Sequence, residues 1–438
     1  MRPPTRTTPF ALATAALATT LLAVGVTPAQ AVDDTPPMPF CPPVSQSVGT
    51  HVQEKLYDPD AHPGHYVPSV AAGALPGGAT LVDGQWFAEY QSPTPAVGSY
   101  DFTLRLTSDF GSFLDKTCHV DVVADLALTG VTTVDRIGGS DRYDVAAAIS
   151  KTSVPGTRTL YVASGVDFPD ALSASPVVAH NESRLLLTKP DELPESIFDE
   201  IHRVDPLTIV VLGGTSAVST AVETRLKTLG ALVVRIEGSD RYELSRNLIA
   251  DSRFGAAASS KAYLATGRSF PDALSAASAA AHVGAPVLLA DGQAPSLSSV
   301  ETDLFTTRGV TRTMISGGPT AVSTGIEDSV RLSVTQVKRP TGGDRYATSA
   351  AVARDAFSVN STSLPTTAYV ATGQAFPDAL TGTVLAAENG SPLYLVRKDC
   401  IPRDAAQHMA DLKISKVVIL GGPAAVSDDV AALTVCSE

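Results

Sequence analysis

The chain of 438 residues has few cysteines, a single tryptophan and no excess of basic charge. Lys and Arg number 32 against 45 Asp and Glu, which gives a formal net charge of −13 without any long basic run. Because nucleic-acid affinity depends on basic clusters that neutralise phosphates, nucleic acid is excluded as a partner class. Hydrophobic residues make up 44% of the chain and charged residues only 18%, as is typical of a folded globular protein.

The sequence also lacks the short motifs of common catalytic and metal chemistry. It has no His-Glu-x-x-His zinc motif, no Gly-x-Ser-x-Gly nucleophile turn and no Walker phosphate loop. We therefore expect a non-enzymatic protein with no catalytic residue, no metal site and no cofactor.

The first residues predict export. Two arginines, Arg2 and Arg6, precede an apolar stretch that runs to Val26, and the small-residue sequence Ala29-Gln30-Ala31 follows it. This pattern indicates a signal peptide over residues 1–31. No later apolar run is long enough to span a membrane, so we expect a secreted chain with no membrane contact after signal removal.

The four cysteines indicate disulfides, since an exported chain meets oxidising conditions. Four cysteines permit three pairings. Proximity in sequence favours Cys41 with Cys118 and Cys400 with Cys436.

Three short sequence words recur in the same order three times. The first is Arg-x-x-Gly-x-Asp-Arg-Tyr at 136–143, 235–242 and 339–346; the second is Phe-Pro-Asp-Ala-Leu at 168–172, 270–274 and 376–380; the third is Gly-Gly-x-x-Ala-Val-Ser at 213–219, 317–323 and 421–427. The period near 100 residues is too long for a solenoid repeat and matches a small domain. The words therefore predict three homologous modules, at 132–230, 231–333 and 334–438.

Each module is predicted to be an α/β unit with a parallel sheet. In the first, short apolar runs of strand length cover 159–163, 184–188 and 207–212, and Ala-rich segments of helical length cover 143–150, 170–180, 195–204 and 220–229. The strands lack the alternation of a half-exposed sheet, so both faces are buried. Strand and helix alternate, which favours a parallel sheet.

The three words fall at the carboxyl edge of that sheet, where open parallel sheets bind ligands. Structural roles explain many of these residues: Asp141 or Ser140 as a helix N-cap, Pro169 at a first helical position and Gly213 after a strand. The recurring Arg-Tyr pair is not required by a cap. Its alternative role is an ion pair of the Arg with a neighbouring Asp, including one across a module boundary.

These words resemble the cell-wall-binding type 2 repeats of Gram-positive surface proteins and autolysins, over about 300 residues. The resemblance implies a monomer with an internal pseudo-three-fold arrangement that attaches noncovalently to an anionic cell-wall polymer or to peptidoglycan. The implied ligand-binding residues are Asp141, Arg142, Tyr143, Asp170 and Gly213 in the first repeat, Asp240, Arg241, Tyr242, Asp272 and Gly317 in the second, and Asp344, Arg345, Tyr346, Asp378 and Gly421 in the third. The third copy departs from the pattern at Pro340 and Thr341.

Residues 32–131 have a different pattern. Tyr100, Phe102, Leu104 and Leu106 alternate with polar residues, as in a half-buried strand, and 118–122 alternate in the same way. We expect a small all-β sandwich here, which resembles the immunoglobulin-like domains of bacterial surface proteins.

Charge favours the repeats over this β domain as the wall-binding part. The repeats hold 27 basic and 33 acidic residues, whereas 32–131 hold 3 and 12. Three linked copies also suit avidity on a repetitive polymer better than catalysis. The alternatives are a peptidoglycan hydrolase or accessory autolysin component, and a self-assembling surface-layer protein.

Overall fold

The computed structural model describes residues 36–42, 45–47, 52–57, 65–77, 79–84, 87–92, 97–123, 126–167 and 169–436. The predicted signal peptide lies outside the described residues. The chain divides into two compact units, Met1–Val123 and Ala124–Glu438. Among the described residues, no helix has the length and apolar character needed to cross a bilayer.

The first unit contains two β-sheets. Its strands are β1 (Ser45–Ser47), β2 (Val52–Lys55), β3 (Tyr66–Gly73), β4 (Thr80–Gly84), β5 (Phe87–Ser92), β6 (Gly98–Ser108) and β7 (Phe113–Val123). One sheet has the order β1-β7-β6-β3 and the other β2-β5-β4. Phe102, Leu104 and Leu106 on β6 are buried, as the alternation predicts. A disulfide joins Cys41 to Cys118.

The second unit alternates strands and helices throughout. Its strands are β8 (Thr133–Ile137), β9 (Thr159–Ser164), β10 (Arg184–Thr188), β11 (Thr208–Leu212), β12 (Leu232–Ile236), β13 (Lys261–Thr266), β14 (Val287–Ala290), β15 (Arg312–Ile315), β16 (Gln336–Lys338), β17 (Thr367–Thr372), β18 (Leu393–Val396) and β19 (Lys416–Leu420). Its helices are α1 (Arg142–Lys151), α2 (Pro169–Leu172), α3 (Ala174–His180), α4 (Glu195–Val204), α5 (Thr220–Lys227), α6 (Arg241–Ala250), α7 (Pro271–His282), α8 (Ser299–Thr307), α9 (Thr324–Ser333), α10 (Arg345–Ala356), α11 (Pro377–Glu388), α12 (Arg403–Asp411) and α13 (Asp428–Ala431).

The predicted α/β modules with parallel sheets are confirmed, with one interruption. The helix expected over 170–180 is divided into α2 and α3, whereas α7 and α11 are continuous in the other repeats. Pro176 explains the break, because proline has no N–H to donate to the carbonyl of Leu172 and its ring crowds that carbonyl. Ser278 and Val384 occupy the corresponding positions in α7 and α11.

Each repeat begins with a strand that joins a neighbouring repeat's sheet. The sheet orders are β10-β9-β11-β12, β14-β13-β15-β16 and β18-β17-β19-β8, with every pairing parallel. Thus β12 and β16 each add to the preceding sheet. The first strand, β8, completes the last sheet by pairing with β19. The three modules are therefore closed into a ring by strands exchanged along a single chain.

The ring has a shared apolar centre. Helix α3, which follows the first Phe-Pro-Asp-Ala-Leu word, and helices α7 and α11, which contain most of the other two, all pack against one another. Polar contacts also cross the module boundaries: Ser175 donates to the carbonyl of Leu380 at 3.1 Å, and the N–H of Leu393 donates to Ser278 Oγ at 3.2 Å. The strand residues between these helices are almost fully buried. The centre therefore holds the carboxyl edges of the three sheets in equivalent positions.

Candidate wall-binding site

The acidic residue of each first word is a helix N-cap. Asp141, Asp240 and Asp344 have extended backbones, and each carboxylate accepts hydrogen bonds from the backbone N–H groups two and three residues later. The side chain thus satisfies donors that a helix N-terminus leaves unpaired. Of the two predicted caps, Asp141 and not Ser140 makes this contact. The third copy keeps this geometry despite Pro340 and Thr341.

The arginine that follows each cap is fixed by the strand next to it. Arg142, Arg241 and Arg345 donate through Nη1 to the carbonyls of Gly165, Gly267 and Gly373, which follow β9, β13 and β17; the last two distances are 2.8 and 2.7 Å.

The same three glycines receive the tyrosine rings. A Cβ added at Gly165, Gly267 or Gly373 would meet Cε1 of Tyr143, Tyr242 or Tyr346 at 2.7, 2.6 and 2.5 Å. Each of these positions therefore requires glycine, because a larger side chain would collide with the tyrosine ring. The Arg-Tyr pair thus holds the end of the strand in place.

The aspartates of the second word meet the glycines of the third. Asp170, Asp272 and Asp378 each place Oδ2 against Gly213, Gly317 or Gly421, so closely that a Cβ on any of these glycines would collide with the carboxylate. The three glycines also have φ values of +96°, +104° and +107°, which side-chain-bearing residues rarely adopt. Sequence words more than 40 residues apart thus form one contact in each module.

The arginines of the first word interact electrostatically with the aspartates of the second word across module boundaries. Burial raises the pKa of Asp170, Asp272 and Asp378, to about 6 for Asp378, and the positive charges of Arg241, Arg345 and Arg142, respectively, oppose this rise. The predicted partnership of each Arg with an Asp of another module therefore takes the form of a longer-range electrostatic interaction.

Aromatic rings lie at the same boundaries. The guanidinium carbon of Arg142 is 5.8 Å from the centre of the Phe376 ring, and that of Arg345 is 5.8 Å from the Phe270 ring. These two rings are 6.0 Å apart. Phe168, their counterpart in the first repeat, lies outside the described residues. At these two boundaries an arginine of one module therefore lies near a phenylalanine and an aspartate of its neighbour, a group that we call the Arg-Phe-Asp cluster.

Sequence reasoning missed the role of the arginine that begins each first word. Arg235 donates to the carbonyls of Gly213 and Val218 at 2.6 and 2.9 Å, and also to Glu223 at 2.7 Å. Arg136 and Arg339 make the equivalent carbonyl contacts to 421–427 and 317–323. The recurrence of these arginines in all three repeats was the sequence signal that could have indicated this role. These arginines lock each Gly-Gly loop to the strand supplied by the next repeat.

Open grooves lie beside two of the capped helices. In the third repeat a groove of about 910 Å³ is lined by Asp344, Tyr346, Arg397, Arg403 and the Cys400–Cys436 disulfide. In the second repeat a groove of about 320 Å³ is lined by Asp240 and Tyr242 together with Asp291. The structure therefore brings the predicted residues into two clusters in each module, and in the second and third repeats a groove runs beside the capping aspartate and the tyrosine.

The fold and these recurring clusters define a protein of three homologous α/β modules. A family model described as cell wall binding domain 2 (CWB2) matches residues 136–223, 235–327 and 339–431. The chain belongs to this family, and its three repeats are cell-wall-binding domains.

Two curated relatives from Bacillus subtilis (strain 168) match over the same part of the chain. The N-acetylmuramoyl-L-alanine amidase LytC is 29% identical over 300 residues, which are 68% of this chain and 57% of the relative. The amidase enhancer is 30% identical over 301 residues, which are 68% of this chain and 40% of the relative. The chain thus matches only about two fifths to three fifths of the length of these relatives.

Two solved structures share the fold. Cwp6 from Clostridium difficile has a TM-score of 0.61 at 19% identity and covers 90% of this chain and 68% of its own. Cwp8 from Clostridium difficile has a TM-score of 0.59 at 23% identity, with 85% and 63% covered. These similarities establish the architecture of three tandem α/β modules.

Proposed function

We propose that this protein is a secreted, non-enzymatic surface protein that holds an anionic secondary wall polymer at Arg142, Arg241 and Arg345, the recurring arginines of its three repeats. The observation that carries the proposal is the threefold recurrence of an arginine fixed at the carboxyl edge of a sheet. Arg142 and Arg345 are exposed although one N–H of each is bound to a glycine carbonyl. A guanidinium has five N–H donors, so such an arginine is oriented by one bond and keeps others for phosphate or carboxylate oxygens.

The surroundings of each arginine favour an anion more than the net charge of the protein does. The N-terminus of a capped helix begins at the arginine itself, and its partial positive charge adds to that of the guanidinium. The neighbouring aspartate has a raised pKa, about 6 for Asp378. Mild acid therefore removes a negative charge beside the arginine, and we expect wall binding to strengthen as the pH falls from 7 towards 5.

Three recurring arginines suit a polymer better than a small substrate. Each arginine offers few contacts and binds weakly alone, but a repeating chain that reaches two or three of them gains avidity without any new contact. Catalysis does not benefit from repetition in this way. The part that this chain shares with the amidase and the amidase enhancer is the repeat region, and we assign wall attachment to that region. The first unit, with the immunoglobulin-like character predicted for it, is then displayed at the surface.

Sedimentation with purified Gram-positive walls tests the proposal. Full-length protein is mixed with walls before and after chemical extraction of their anionic secondary polymers, and the pelleted fraction is measured. We expect pelleting with intact walls and its loss after extraction. Persistent binding to extracted walls would assign peptidoglycan as the ligand instead. Release of soluble wall fragments would favour the hydrolase alternative, and pelleting without walls would favour self-assembly.

A further inference from the structure

A second kind of site lies at the opposite, amino-terminal edge of the sheets. Between the second and third modules is a cavity of about 210 Å³, lined by the first residues of β13, β15 and β16 and by the end of α10. It is separate from the Arg-Phe-Asp clusters, which lie where the strands end. Its lining includes Lys261, Tyr263, Arg312 and Lys338.

The strand register places most of these side chains on one face of the sheet. In the strand register, Lys261 pairs with Arg312, and Arg312 pairs with Gln336. Two residues further along each strand, Tyr263, Met314 and Lys338 form a second row of paired positions. Because side chains two residues apart share a face, both rows face the cavity.

The cavity contains more positive charge than the protein itself neutralises. Lys338 is paired with Asp355 at 2.8 Å. Among the described residues, neither Lys261 nor Arg312 has an ion-pair partner, although they are level on adjacent strands. Like charges in such positions destabilise a sheet. The corresponding pairs are Thr159 with Thr208 in the first module and Thr367 with Lys416 in the third, so two facing cations are particular to this module.

Tyr263 adds a hydroxyl donor to the cavity. It lines the cavity, and in the described part of the chain its hydroxyl makes no hydrogen bond. Its counterpart Tyr161 donates to the carbonyl of Phe254 at 2.6 Å and accepts from Asn181 at 2.9 Å. The third counterpart, Tyr369, lines a cavity of about 610 Å³ that also contains Asp135 and Glu388, and so has a different charge.

We propose that this cavity binds one acidic sugar unit, whose carboxylate or phosphate lies between Lys261 and Arg312 and accepts a hydrogen bond from the Tyr263 hydroxyl. Met314, Val283 and Ala356 supply an apolar wall against which the C–H face of a sugar ring packs. The cavity is suited in size to a single ring and not to a polymer. The proposal does not depend on wall attachment, because the site can be tested with small molecules alone.

Calorimetric titration of the full-length protein at low salt and pH 7 tests the proposal with four probes. Glucuronate and glucose 6-phosphate distinguish a carboxylate from a phosphate, glucose controls for the ring, and inorganic phosphate controls for charge. We expect saturable 1:1 binding of at least one acidic sugar and none of glucose. Phosphate binding as tight as that of both acidic sugars would overturn the sugar assignment, and no saturable binding of any anion would overturn the site.

Substitutions locate the binding. Lys261→Gln and Arg312→Gln should each weaken the acidic sugar by about tenfold, the loss expected for one charged contact. Tyr263→Phe should weaken it by about fivefold without lowering the melting temperature, since no bond within the protein is lost. Lys413→Gln is the matched control, because it removes an exposed cation that does not line the cavity. The affinity of this variant for the acidic sugar should equal that of wild type. Equal affinities for all four variants would refute the assignment.

Discussion

At the carboxyl edge of their sheets the three modules are alike, and at the amino edge they differ. Every carboxyl edge has a capping aspartate, an arginine bound to a glycine carbonyl and a second aspartate against a glycine loop. At the amino edge the facing pairs are Thr with Thr, Lys with Arg, and Thr with Lys. The residues shared at the carboxyl edge are those that ring closure and the proposed binding of a repetitive polymer require in each module. The amino-edge residues are not required in every module, so one module can have a binding cavity that the others lack.

Ring closure is the strongest test of this comparison. A fragment of 126–438 retains β8, whereas a fragment of 138–438 loses both β8 and Arg136. We expect the first to be a monomer with one cooperative unfolding transition. In the second, β19 has an unpaired edge, so its third module should unfold separately and the protein should associate through that edge.

Light scattering and thermal unfolding of the two fragments provide the measurement. Equal melting curves and equal masses would show that β8 is dispensable and that the ring is held by helix packing alone.

The arginines that lock the Gly-Gly loops should give the next largest effect. Arg339→Ala leaves the carbonyls of Gly317 and Val322 unpaired and removes a partner of Glu327, which is mostly buried. We expect a loss of about 3 kcal/mol in the free energy of unfolding. Arg136→Ala should cost about 2 kcal/mol, because its acidic partner Asp428 is largely exposed. Urea unfolding measures both, and a larger loss for Arg136→Ala would contradict the account.

The buried aspartates should make stability depend on pH. The folded-state pKa of Asp378 is about 6 and its unfolded value is 3.8, so the wild type loses stability as the pH rises from about 4 to 6. Asp378→Asn removes this loss and should stabilise the protein by on the order of 2 kcal/mol at pH 7.5, with no gain at pH 4.

Asp328→Asn, at an exposed position on α9, controls for the lost charge. Urea unfolding at both pH values is the readout. A gain that is the same at pH 4 and pH 7.5 would show that burial of the carboxylate is not its cause.

The smallest expected change in stability is a difference between Tyr161 and Tyr369 at the amino edge. Tyr161→Phe breaks the bonds to Phe254 and Asn181 and should cost about 1–2 kcal/mol. Tyr369→Phe should change stability by less than about 0.5 kcal/mol, since in the described residues its hydroxyl has no partner to lose. Thermal unfolding of both variants is the measurement. Equal losses of stability in the two variants would contradict this difference between the tyrosines.

Local structure was predictable where one physical signal dominated. The buried strands, the aspartate caps and the first-turn prolines follow from composition and from residues repeated at one period. Pro176 was visible in the sequence, but its break in one of three equivalent helices was not anticipated. The pairing of β8 with β19 was hidden, because periodicity shows that a strand exists and not which sheet receives it.

The site was predictable to the same extent. The recurring words singled out Arg142, Asp170 and Gly213 and their copies, and an Arg–Asp pair across a module boundary was among the expectations. Which module supplies the aspartate for each arginine could not be read from the sequence, because it depends on how the modules pack. Lys261, Arg312 and Tyr263 could not be found, because the two cations do not recur and the missing hydrogen bond of a tyrosine is visible only in three dimensions.

Wall sedimentation of the triple variant Arg142→Gln, Arg241→Gln and Arg345→Gln over a salt series tests the central claim most directly. The control carries Lys151→Gln, Arg253→Gln and Lys413→Gln, three exposed cations away from the carboxyl edge, and so the same change in charge. The account predicts that the arginine variant loses wall binding and most of its salt dependence, while the control pellets like wild type. Equal retention of both variants at every salt concentration would contradict it.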